Sequence, residues 1–209
     1  MVLSVIALII NLTVIVISNQ AESRSQYWVT HTHEVISESN ALLFNIQRAE
    51  SGQRGYLLTQ NNTYLAPYFE GVASTHLQLQ TLTQKTSDNP AQQKRLSELA
   101  VLIKDKFTEL DATVALTQEG KVDKALNIVN KNLGQSLMGS IKAQLDEFIQ
   151  FEQGLLESRI NEFERAKTFS LLALLLAEGL LFTLIFLASY VLKRKVVIPI
   201  TTLTNQANT

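Results

Sequence analysis

AESGQRGYLLTQNNTYLAPY, residues 49–68, is the stretch on which the fold turns. A helical run with two glycines three residues apart carries Glu50, Gln53, Arg54, Gly55 and Tyr56, then meets the polar break Asn61-Asn62-Thr63 and two further tyrosines, Tyr64 and Tyr68. Glycine costs a helix about 1 kcal/mol relative to alanine, so Gly52 and Gly55 imply close approach by another backbone. Glu50 and Arg54 stand at i and i+4, in the order that favours a same-helix ion pair. Two readings are open: a structural corner where the chain reverses, with Arg54 reaching carbonyls of the 130–134 stretch, or a ligand pocket.

The residues on either side favour the corner. Val35, Leu42, Ile46, Ala49, Gln53 and Tyr56 share one helical stripe. Beyond the break, Leu65, Phe69, Val72, His76, Leu79 and Leu82 form a second, closed by Ser87-Asp88-Asn89-Pro90, a helix-start signal. Leu96, Leu99, Ile103, Phe107, Leu110 and Val114 form the third, which ends at Glu119-Gly120. A short amphipathic piece, VDKALNIVNKNL, leads to Gly134, and Leu137, Ile141, Leu145, Phe148, Leu155 and Phe163 form the fourth. No stretch alternates with the period of a strand. The pattern predicts an all-α, antiparallel four-helix up-down bundle.

The ends of the chain are apolar. Residues 1–18 and 168–192 read as membrane helices continuous with the outer two bundle helices, the second interrupted only by Glu178. Lys193, Arg194 and Lys195 follow at once and mark the cytoplasmic side. Residues 19–167 then form an extracytoplasmic domain in a multi-pass membrane protein, and 193–209 begin a cytoplasmic helix. At ~1.5 Å per residue, helix one rises ~60 Å while helices two and three cover ~40 Å, leaving a two-helix stalk that needs a second copy: a homodimer. Asn11 and Glu178 lie at comparable depth, and a hydrogen bond between them across a dimer core is expected.

Several functions are disfavoured. The 209-residue chain has a net charge of −1, no basic stripe for nucleic acid and no cysteine for disulfides or thiol chemistry. It has no phosphate-cradling loop and no nucleophile beside a histidine, so neither catalysis nor a cofactor is implied. His31 and His33 fall on different helix faces and cannot chelate one metal from one helix. His76, on a core stripe, reads as a buried bundle histidine. Glu152 and Arg159, seven apart, read as partners in inter-helix ion pairs.

In this frame the 49–68 motif resembles the signature of CHASE domains of the third type, extracellular sensory domains of bacterial histidine kinases and cyclases. DNPAQQKRLSELA, ALNIVNKNLGQSLMGSI and FEQGLLESR extend the resemblance over about residues 25–165. VVIPITTLTNQANT, with Pro199 and Leu203, resembles the first helix of a HAMP relay linker. The resemblance implies the sensor and transmembrane part of a receptor, with an enzymatic effector, most often a histidine kinase, beyond residue 209. A diguanylate cyclase or chemoreceptor effector is an alternative, as is a membrane-tethered interaction bundle without a small ligand. The stimulus, small molecule or protein, is not named by the resemblance.

Overall fold

The computed structural model describes residues 2–198 and is all-α, with no strand among the described residues. Pro199 and Leu203 lie outside the described residues. Helix α1 spans Val2–Thr59, α2 Leu65–Lys85, α3 Pro90–Gln118, α4 Val122–Val129 and α5 Leu133–Leu192. A single 3-10 turn, Asn62–Tyr64, joins α1 to α2, and a π-helical turn, Lys193–Val197, follows α5.

Local chemistry sets each boundary. α1 stops where Gln60 turns left-handed at φ 55°, its N–H bonding the Tyr56 carbonyl at 2.7 Å. The Asn61 side chain then caps the 3-10 turn by accepting from the Thr63 N–H at 3.0 Å. Asn89 caps α3 through the Gln92 N–H at 3.2 Å, and Pro90 occupies the first turn, where no N–H is needed. Gly120, at φ 73°, ends α3, and Asn132, at φ 59°, turns the chain from α4 into α5. The left-handed residue before α5 is therefore Asn132, while Gly134 lies inside the helix.

The chain divides into two units, Val29–Ser158 and the paired ends Met1–Trp28 with Arg159–Thr209. In the first, side-chain bonds give the helix directions. Arg48 pairs with Glu70 and Lys85 with Glu34, so α1 and α2 run antiparallel. Gln93 reaches the Thr83 carbonyl and Tyr68 bonds Asp111, so α2 and α3 do likewise. Gln92 bonds the Phe148 carbonyl while Lys106 bonds that of Gly134, so α5 descends against α3. The core takes Val35, Leu42 and Ile46 from α1, Leu65 and Leu82 from α2, Leu96 to Val114 from α3, and Ile141, Leu145 and Phe148 from α5. Each such side chain contributes about 1.5–3 kcal/mol when fully buried.

The second helix departs from the expected stripe. Tyr68, Gly71 and Thr75 are buried where Phe69 and His76 were expected, and Phe69 and His76 face outward. Two close backbone approaches cause this rotation. A Cβ on Gly71 would stand 2.7 Å from the Ala49 N and the Asn45 O, and one on Gly52 2.7 Å from the Tyr68 N. Small residues at the contact draw α2 onto α1 along the Gly71 face, and the larger side chains take the flanks.

Asn11 Nδ2 donates to Glu178 Oε1 at 3.0 Å, so the expected bond closes within one chain and needs no second copy. The Ser18 and Ser170 hydroxyls bond one another. Arg159 lies over the Trp28 ring, 4.7 Å from its centroid. Among the described residues one helix, within Leu133–Lys195, is long and apolar enough to cross a membrane.

Candidate functional site

Where the first turn of α5 meets the last third of α1 and the middle of α3, the bundle carries a buried charge cluster. Lys106, on α3, is 1 % exposed, a position that lysine almost never takes without partners. Its Nζ donates to Glu50 Oε1 at 2.9 Å, Glu109 Oε2 at 3.0 Å and the Gly134 carbonyl at 3.2 Å. These acceptors saturate the donors of one ammonium. Arg54 donates to the same Glu50 oxygen at 3.0 Å from the outside, with 58 % of its side chain exposed. The expected Glu50–Arg54 pair is thus present, but the carbonyl in the 130–134 stretch is taken by Lys106, not by Arg54. A lysine rising from the middle of α3 lies closer to that carbonyl than an arginine whose own helix faces it from the rim.

Close approach again makes the arrangement possible. A Cβ on Gly134 would lie 2.7 Å from Glu109 Oε2 and 2.8 Å from Lys106 Nζ, so any larger residue would push the pair apart. Beneath the cluster Gln53, 2 % exposed, donates to the Thr113 hydroxyl at 2.7 Å and ties α1 to α3. A cavity of about 80 Å³ opens beside these groups, bounded by Glu50, Gln53, Arg54, Lys106, Glu109 and Asn132, among others.

The tyrosines of the motif divide by role. Tyr56 is buried in the core, and Tyr64 packs on Gly55 and stays partly exposed. Tyr68 is buried with its hydroxyl bonded to Asp111. Burial first, then the hydrogen bond and negative charge of Asp111, push the Tyr68 hydroxyl above the ordinary phenol range. The neutral phenol is the folded form, so its contribution is complete below the unfolded value near ~10 and is lost as pH rises through the higher folded value. Tyr68→Phe removes this contribution, and the fall in melting temperature above about pH 10 should become shallower than in the parent.

Other expected positions are resolved plainly. His76 borders an open groove of about 390 Å³ with Val72, Leu79, Ile103 and Phe107, its ring edge-on to Phe107 at 5.9 Å. His31 Nε2 donates to the Lys85 carbonyl at 2.9 Å, whereas His33 is exposed on another face. Glu152 is buried and accepts from Gln92 at 2.7 Å, a neutral donor in place of the cation of an ion pair. Sequence reading missed Lys106 and Glu109. Both sit at i and i+3 on α3, between the core positions Ile103, Phe107 and Leu110, and that spacing is their one visible signal.

The comparisons with known proteins agree with this architecture. No curated protein matches the sequence. Among solved structures, the sensor domain of the histidine kinase HK9 of Rhodopseudomonas palustris superposes with a TM-score of 0.58 at 27% identity, covering 60% of this chain and 98% of that one. The CHASE3 domain model matches residues 25–162, taking in all of the charged corner. With two thirds of its length inside that match and a histidine kinase sensor domain as a structural neighbour, the chain belongs to the CHASE3 family of sensor domains.

Proposed function

We propose that this chain is the sensing and membrane-crossing part of a bacterial receptor whose effector is a histidine kinase. Residues 19–167 stand outside the cytoplasmic membrane, 1–18 and 168–192 cross it, and 193–209 open a HAMP relay helix. The observation that carries the reading is the continuity of α5, which runs from the Lys106 corner at Leu133 without a break to Leu192. Its last turns bear apolar side chains that the fold leaves uncovered, Phe169 and Leu176 at 75 % exposure among them, as a lipid-facing helix would. The likeness to the HK9 sensor domain supports the kinase as effector.

The working unit is a homodimer. A small-molecule or protein stimulus at the corner shifts α5 against α1, and the shift biases a two-state element on the cytoplasmic side. Glu178, held by Asn11, fixes the register of the spans. Reporter fusions test the topology: alkaline phosphatase joined after Asn89 should be active, and joined after Lys195 inactive, with a cytoplasmic reporter giving the reverse. Phosphatase activity at Lys195, or its loss at Asn89, would refute the two-span arrangement.

A further inference from the structure

We propose that the charged corner binds a small zwitterion the size of the simplest amino acids, with its carboxylate on Arg54 and its ammonium on Glu50 and Glu109. The proposal rests on the sensor reading above and gives its stimulus a chemical class. Size comes first. A cavity of about 80 Å³ has room for roughly five to eight water-sized atoms. That admits glycine or alanine and excludes an aromatic or a sugar.

Charge comes second. The walls carry two cations, Lys106 and Arg54, and two anions, Glu50 and Glu109. Lys106 spends its donors on Glu50, Glu109 and Gly134, so it supplies field and no contact. Arg54 commits a hydrogen bond to Glu50 Oε1 and retains further guanidinium donors that can face the cavity. The first turn of α5, which borders the same cavity at Gly134, adds N–H groups that no carbonyl of its own helix can reach. Glu50 receives both cations on Oε1 and Glu109 receives Lys106 on Oε2, so each carboxylate brings a second oxygen to an incoming ammonium. A bare anion would meet two carboxylates and a bare cation two basic groups. Only a molecule with both charges satisfies both walls. A ligand so held ties α1, α3 and the first turn of α5 together.

The test uses the full chain in lipid nanodiscs, titrated calorimetrically with glycine, alanine, acetate and methylamine. Glycine or alanine should bind saturably, with acetate and methylamine at least ~10-fold weaker, because each lacks one charge-assisted set of bonds. Arg54→Gln should weaken glycine about 10- to 100-fold while leaving the melting temperature of the unliganded protein nearly unchanged, since Arg54 is itself exposed and Lys106 keeps Glu50 paired. Absence of saturable binding by both amino acids overturns the proposal, as does acetate binding as tightly as glycine. Neither result touches the sensor reading, which the topology fusions measure independently.

Discussion

Lys106→Met should lower the stability of the bundle by about 3–5 kcal/mol, because it leaves Glu109 buried without a cation and Glu50 with only the exposed Arg54 as partner. The exposures make the case: Lys106 is 1 % exposed, and the side chains of Glu109 and Glu50 are 6 % and 13 % exposed. Methionine fills nearly the same volume, so the loss reports charge and hydrogen bonding, not a cavity. In a domain of this size the change corresponds to a fall of roughly 10–20 °C in melting temperature. The double variant Lys106→Met/Glu109→Gln removes one of the stranded charges and should recover at least about 1 kcal/mol of that loss. Additive losses in the double variant would show that the cluster is not coupled.

Gly52→Val should be the second severe change. Its Cβ would stand 2.7 Å from the Tyr68 N and 2.8 Å from the Tyr64 O, and both are backbone atoms that no rotamer can move. α2 must slide away from α1, with a cost of about 1–3 kcal/mol or more, despite the gain of about 0.5–1 kcal/mol that a non-glycine residue brings to a helix. The control is Gly139→Ala in α5, where an added Cβ would meet nothing within 4 Å. That change should raise stability by up to about 1 kcal/mol. Thermal denaturation followed by circular dichroism reads both, and equal signs for the two substitutions would contradict the close-approach account.

The fold was largely legible in the sequence because three of its four stripes are apolar at helical spacing and lie between strong boundary signals. The first and third stripes are buried at every position named, from Val35 to Tyr56 and from Leu96 to Val114. The second was right at Leu65 and Leu82 and off by one position at Phe69 and His76, where Tyr68 and Thr75 are buried instead. Gly71 and Thr75 make the contact on α2, and a hydropathy pattern assigns little weight to residues that are buried because they are small. The corner was legible in its α1 half, through Gly52, Glu50 and Arg54. Its α3 half was hidden, since Lys106 and Glu109 are residues that composition assigns to solvent. Only the approach of Gly134 brings a carbonyl close enough to satisfy a buried ammonium, and that approach is a property of tertiary packing. Glu152 shows the same limit: spacing placed it on a stripe, but its partner, Gln92, depends on how the neighbouring helices are rotated.

We propose that the effector reads the arrangement of α5 against α1. The chain contains no cysteine, so Ser18→Cys with Ser170→Cys introduces a single pair, at two hydroxyls already bonded to one another. The most direct measurement is autophosphorylation of that variant, joined after residue 209 to a HAMP and histidine kinase core in nanodiscs, oxidised and then reduced. Locking one arrangement should change the kinase rate by about 5-fold or more and reduction should restore it, the range expected for coupling between sites. A disulfide that forms within the chain and leaves the kinase rate unchanged would contradict the account.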